Sequence, residues 1–154
     1  MGIKSYIGKR VKAKKGGTSQ IMVSDYMSRN LITFKPEQSV LEVMEILIKK
    51  RISGAPVVNS KQELVGIISE GDCIKQISDS RYYNQPMKDV KVEQHMVTQV
   101  ETIAADMNIF DAAKQFLTAK RRRFPIVEDG KLVGLLSQKD VLKAALSLKG
   151  STWR

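Results

Sequence analysis

Apolar residues at positions 40, 43, 44, 47 and 48 recur at the three- and four-residue spacing of one helical face. The stretch opens on Ser39-Val-Leu-Glu42, a capping box in which the hydroxyl accepts from a free amide and the acid reaches back. The same pattern returns at 109, 112, 113, 116 and 117, behind Asn108-Ile-Phe-Asp111. These positions match one for one at an offset of 69 residues. Beyond each predicted helix, short apolar runs flanking a polar turn predict two strands, "PVV" to "LVGII" and "PIV" to "LVGLL". A further helix is predicted after each pair, at about 70–78 and 138–147.

The chain is therefore an internal duplication. The offset of 69 also pairs Met27 with Met96, Thr33 with Thr102 and Pro56 with Pro125. It becomes 68 for Ser69 with Ser137 and Asp72 with Asp140, because the turn "NSKQE" is one residue longer than "EDGK". Each half reads short strand, helix, strand, strand, helix. The repeats span 21–80 and 90–148, joined by a polar linker at 81–89. A basic arm at 1–20 precedes them and a short tail at 149–154 follows. Tyr82 and Tyr83, in the linker, are expected to pack onto the repeats.

Each half carries the phrase Gly, two apolar residues, Ser, two spacers, Asp: "GIISEGD" at 66–72 and "GLLSQKD" at 134–140. The predicted strand ends just before the Ser, and the helix begins there. A helix start offers unpaired amides and partial positive charge, which suits a phosphate. The hydroxyl adds a donor, and the Asp one turn along can accept two hydrogen bonds from a ribose diol. Gly66 would let backbone or a ligand approach closely. Ser-x-x-Asp is equally a helix cap, and the two roles are compatible. Cys73 begins the same helix, a position that favours thiolate.

Composition narrows the classes. The 42% apolar and 27% charged residues are those of a soluble globular protein, and no apolar run is long enough for a membrane span. The basic N-terminus has no apolar core, so it does not read as a secretory signal. One Cys and one His argue against a disulfide framework or a protein zinc site, and the single thiol fits a reducing cytoplasm. Of the net charge of +10, residues 1–20 supply six cations, Lys4, Lys9, Arg10, Lys12, Lys14 and Lys15, with no acid. The arm reads as a solvated segment, with an anionic partner as the sharper reading. No nucleophile, general base or metal set stands out, which disfavours an enzyme.

The sequence resembles a tandem pair of CBS domains, a Bateman module. The resemblance rests on features present twice: "DYM" and "QHM", the Thr of the first strand, the capped helix, "APVV" and "FPIV", and the two Gly-to-Asp phrases. It covers residues from about 21 to 146. It implies an α+β fold of two β-α-β-β-α repeats packed as a pseudo-twofold pair, associated as flat homodimers through their helices. It also implies a non-catalytic regulatory module that binds adenosine-containing ligands between its repeats: AMP, ADP or ATP, with S-adenosylmethionine or NAD as further candidates. No cofactor is required. The signal would be a conformational shift read by a separate effector protein.

Carried over residue by residue, the resemblance assigns ligand contacts to Thr33, Ser53, Gly54, Ala55, Pro56, Ser69 and Asp72 in the first repeat. In the second it assigns them to Thr102, Arg123, Phe124, Pro125, Ser137 and Asp140. The halves differ where "RISGAP" at 51–56 faces "KRRRFP" at 120–125. Guanidinium groups pair well with phosphate oxygens, so Arg122 or Arg123 is a candidate contact favouring di- or triphosphate. The plainer reading is a solvated helix end. Phe124, in the place of Ala55, either fills the second site or stacks on a base. The alternative function is a nucleic-acid-associated protein using the basic arm and the Arg121–Arg123 cluster, which steep salt dependence would reveal.

Overall fold

The structure, a computed structural model, describes residues 20–83 and 86–148. The basic arm up to residue 19, the tail at 149–154 and the side chains of Tyr82 and Tyr83 lie outside the described residues. The helices are α1 (Val23–Tyr26), α2 (Val40–Lys50), α3 (Glu70–Tyr83), α4 (Ile109–Ala119) and α5 (Gln138–Ser147). The strands are β1 (Gly54–Val58), β2 (Leu64–Ser69), β3 (Ile103–Ala104), β4 (Arg123–Glu128) and β5 (Lys131–Ser137). Short 3-10 turns cover Met87–Asp89 and Val92–Gln94. Helix α3 runs five residues past the predicted end at 78, into the predicted linker.

Local chemistry starts these elements where the sequence signals them. The Ser39 hydroxyl accepts from the Glu42 amide at 3.1 Å, and the Ser39 amide donates to the Glu42 carboxylate at 3.3 Å. Asn108 accepts from the Phe110 amide at 2.8 Å. Strands β1 and β2 pair antiparallel with Gly54 opposite Ser69, and β4 and β5 pair likewise with Arg123 opposite Ser137. Both hairpins shift register at matching places, Val57/Val58 and Ile126/Val127. The predicted first strand is uneven between the halves. In the second it is β3, parallel to β4, and in the first it shrinks to one parallel bridge between Phe34 and Val57.

The chain divides into two compact units, and the division does not fall between the sequence repeats. One unit is Ile32–Val100, here called the inserted unit. The other combines, among the described residues, 20–31 with 101–148, and is called the split unit. The segment ahead of each repeat thus belongs to the unit built on the other repeat. In the split unit, Val23 and Met27 join Phe116, Phe124 and Leu136 in one core. In the inserted unit, Val90 and Val92 join Phe34, Val43 and Ile68.

Backbone pairing explains the exchange. The Ser28 amide donates to the Leu135 carbonyl at 2.8 Å, and the Leu135 amide returns to Ser28 at 3.0 Å. Val97 and Ile67 exchange the equivalent bonds at 2.8 and 2.9 Å in the inserted unit. Each docked segment lays its Met over the Gly of the duplicated phrase. A Cβ on Gly134 would lie 2.5 Å from the Met27 sulfur and 3.0 Å from the Ser28 carbonyl oxygen. A Cβ on Gly66 would lie 2.7 Å from the Met96 sulfur and 2.9 Å from the Val97 carbonyl oxygen. The close approach expected at Gly66 is therefore made by a docked Met and its neighbouring backbone. Gly66→Ala and Gly134→Ala should each cost about 1–3 kcal/mol through overpacking against backbone that cannot retreat. Urea denaturation measures this, and a cost below about 0.5 kcal/mol would mean the methionines seat elsewhere.

The apolar face of the first helix in each repeat is buried only in part. Ile48 and Leu117, on that face, are 78% and 80% exposed. They share a stripe with Leu41 and Phe110 seven residues earlier, which are also exposed. At 3.6 residues per turn, that stripe lies beside the buried one formed by Val40, Val43 and Leu47 in α2.

Candidate functional site

The duplicated phrase places a Ser at each junction between hairpin and helix. At the start of α5, the Ser137 amide donates to Asp140 Oδ2 at 2.8 Å, and the Asp140 amide donates to Ser137 Oγ at 3.2 Å. At the start of α3, the Ser69 amide donates to Asp72 Oδ2 at 2.8 Å and its hydroxyl to the same oxygen at 3.0 Å. The Asp72 amide points back to Ser69 Oγ at 3.4 Å. The cap reading is thus realised in both repeats. It leaves each carboxylate with acceptor capacity, since an ionised carboxylate offers about four lone-pair sites. All four side chains are half-buried, so they remain reachable.

The residues before each hairpin brace the helix start. The Glu70 amide donates to the Ser53 carbonyl at 2.8 Å, and the Gln138 amide donates to the Arg122 carbonyl at 3.3 Å. Gly54 is pressed against the end of β2: a Cβ there would lie 3.0 Å from the Ile68 carbonyl oxygen and 3.2 Å from Ser69 Cα. Its counterpart Arg123 occupies the same register position with an exposed side chain.

In the inserted unit, Ser53 is exposed, Ala55 and Pro56 are buried, and Thr33 is half-buried beside the strand. The Phe34 amide donates to the Pro56 carbonyl at 3.0 Å, which sets Thr33 alongside that strand. In the split unit, Pro125 is buried and Arg122 is exposed. Thr102 directly precedes β3, whose Ile103 pairs in parallel with Ile126, so it stands beside Pro125. It is only 2% exposed, and its hydroxyl has no hydrogen-bond partner. A buried hydroxyl without a partner is costly, and such a group calls for an explanation.

Phe124, read as either filling the second site or stacking on a base, packs inward. The residue is fully buried in the split-unit core, with its ring edge-on to Phe116 at 4.9 Å and 66°. The Arg cluster is also divided: Arg121 Nε pairs with Glu101 at 3.0 Å, while Arg122 and Arg123 make no side-chain hydrogen bond or ion pair among the described residues. The thiolate that a helix start would favour at Cys73 is opposed by its surroundings. The thiol is buried, and burial first, then the carboxylates of Asp72 and Glu70, push its pKa upward. Sequence reasoning passed over Gln76, which is 1% exposed and donates to the Ser80 hydroxyl while its own carbonyl oxygen has no partner. Its repeat counterpart, the buried Ala144, was the available signal that position 76 faces inward.

Among the described residues, no helix is long and apolar enough to cross a membrane. None of their His, Cys, Asp or Glu side chains gather in a group of three that would hold a metal ion.

Residues 23–79 and 88–147 match the family described as the CBS domain. The chain belongs to the CBS-domain family. Its two CBS repeats, in an α+β fold, make it a tandem CBS pair. It is 33% identical to the chloroplastic CBS domain-containing protein CBSX2 of Arabidopsis thaliana, over 92% of this chain and 69% of that protein. The crystal structure of CBSX2 in complex with AMP superposes with a TM-score of 0.72 at 32% identity, covering 83% of this chain and 98% of that one. The CBS domain pair of protein MJ0100, solved with 5′-methylthioadenosine and S-adenosyl-L-methionine, gives 0.67 at 25% identity, covering 84% and 98%. Inosine-5′-monophosphate dehydrogenase of Aquifex aeolicus is 32% identical over 74% of this chain, which spans only 22% of that enzyme's length.

Proposed function

We propose that this CBS pair is a non-catalytic sensor of an adenosine-containing ligand, with AMP, ADP and ATP as the first candidates and S-adenosylmethionine or NAD as further ones. The observation that carries the reading is the duplicated helix start, where Ser69 with Asp72 and Ser137 with Asp140 combine the positive end of a helix, a hydroxyl and a carboxylate in both repeats. Phosphate suits the helix end and the hydroxyl, and ribose suits the carboxylate. The partnerless Thr102 hydroxyl adds a buried polar group beside the split-unit strand. The adenosine compounds bound to CBSX2 and to the MJ0100 CBS pair support the same class. Binding shifts the population of conformations, and a separate effector protein reads the shift. The buried free thiol of Cys73 is compatible with a reducing compartment such as the cytoplasm.

Titration of AMP and ATP by calorimetry tests this on the whole chain and its variants. Asp72→Ala and Asp140→Ala should each weaken one binding event by about tenfold or more, the worth of a charge-assisted hydrogen bond to a ligand. Lys15→Ala should change little. Equal losses for Asp140→Ala and Lys15→Ala would indicate a nonspecific electrostatic contact, in line with the nucleic-acid reading.

The same module is proposed to form homodimers through its helices. Both units leave apolar side chains uncovered at equivalent positions, Ile48 and Ile74 in one, Leu117 and Leu142 in the other, all at least 62% exposed. Repeated apolar exposure of this kind marks an association surface. Ile48→Asp with Leu117→Asp should convert a dimer to a monomer in sedimentation velocity while leaving the fold intact. An unchanged sedimentation coefficient would place the association elsewhere.

A further inference from the structure

The two helix starts are built alike but charged differently. At the start of α5, Lys120, Arg122, Arg123 and Lys139 against Asp140 leave three net positive charges, with Arg121 already neutralised by Glu101. At the start of α3, Arg51 against Glu70 and Asp72 leaves one net negative charge. The reversal comes from matched positions: Ser53, Gly54 and Gly71 stand where the other repeat has Arg122, Arg123 and Lys139, and Glu70 stands where it has Gln138. Arg123 pairs with Ser137 across the hairpin, and the Arg122 carbonyl receives the first amide of the helix. Both residues therefore lie at the hairpin–helix junction that the phrase builds, exposed and without side-chain partners among the described residues. The Thr102 hydroxyl, buried and unpartnered, stands two residues along the strand from Arg123, beside Pro125.

We propose that the two helix starts sort adenosine ligands by charge. The α5 start of the split unit takes a nucleotide with a di- or triphosphate. The α3 start of the inserted unit takes an adenosine whose 5′ substituent is neutral or cationic. The inference rests on the ligand class proposed above and adds the division of that class between the repeats. Each phosphate beyond the first brings charge that Arg122 and Arg123 can meet with paired N–H donors. At α3 the same charge meets Glu70, exposed in the first helical turn, with only Ser53 and Gly54 opposite. Burial first, and then the carboxylates of Asp72 and Glu70, raise the pKa of Cys73 in the same helical turn.

Calorimetric titration of the full chain with adenosine, AMP and ATP, at physiological salt, tests the division. One binding event should favour ATP over AMP by about tenfold, and the other should bind adenosine at least as tightly as AMP. In Arg122→Ala/Arg123→Ala the ATP preference should fall below about threefold while adenosine binding stays within about twofold. Only the backbone of Arg122 supports the helix start, so alanine retains that support. Glu70→Gln should restore AMP binding at the second event by several-fold. Equal affinities for AMP and ATP at every event, or equal losses of adenosine and ATP in the arginine variant, would overturn the sorting while leaving the adenosine site intact. Silence with all three ligands would remove the adenosine site itself, and the sorting with it.

Discussion

Phe124→Ala should lower the stability of the chain by about 3–5 kcal/mol, the cost of a large aromatic removed from a core that closes only partly around the void. Phe124 is fully buried, pairs edge-on with Phe116, and packs in the same cluster as Val23, Ile109 and Leu136. The counterpart Ala55 is also buried at 4% exposure, so the two cores fill the same register position with very different volumes. Chemical denaturation followed by tryptophan-independent circular dichroism reads the loss. Phe124→Leu separates packing from ligand contact: it should retain most of the stability and leave AMP affinity unchanged. A leucine variant of normal stability with AMP binding weakened about tenfold would assign the ring to the ligand instead.

A fragment cut at the sequence repeat, residues 21–80, should show no cooperative unfolding, whereas 32–100 should unfold as one unit. The shorter cut removes Val90 and Val92, which are 1% and 0% exposed in the inserted-unit core. Burying such a side chain contributes about 1.5–3 kcal/mol, a large part of what a domain this small can spare. The cut also removes backbone partners: the Val40 amide donates to the Val90 carbonyl at 2.9 Å, and the Val92 amide to the Gln38 carbonyl at 2.8 Å. The Val97–Ile67 pairing is lost with them. In place of these, 21–80 retains residues 21–31, whose partners Met107, Ala105 and Leu135 lie in the other unit. Differential scanning calorimetry distinguishes the two fragments, and a sharp transition in 21–80 would contradict the exchange of segments.

That exchange marks the limit of what the sequence discloses. Caps, helix faces and hairpins are local, so Ser39, Asn108 and the paired Pro strands announce them directly. The docking of Met27 on Gly134 joins residues more than a hundred positions apart, and duplication hides it, because Met27 and Met96 look alike and either Gly could receive either Met. Ile48 and Leu117 show a second limit: periodicity identifies an apolar position without saying whether its partner is this chain or another. Thr33 and Thr102 align in sequence, yet only Thr102 follows through into a regular parallel strand and hides a partnerless hydroxyl. At the helix starts, the legible part was the Ser–Asp pair. The charge reversal around it was written in the aligned residues, and its significance emerged once Arg123 was placed opposite Ser137 and Arg121 was tied to Glu101.

The most direct test of the central claim locates the ligand. Backbone amide NMR of the isotope-labelled chain, titrated with adenosine and then ATP at physiological salt, reports on each helix start separately. The account predicts shifts concentrated at residues 69–72 and 137–140 and in the strands that hold Gly54 and Arg123. Asp72→Ala should abolish the first set and Asp140→Ala the second. Saturation with no change at either helix start, or changes confined to the basic residues between Lys4 and Lys15, would contradict it and reduce the duplicated phrase to a pair of helix caps.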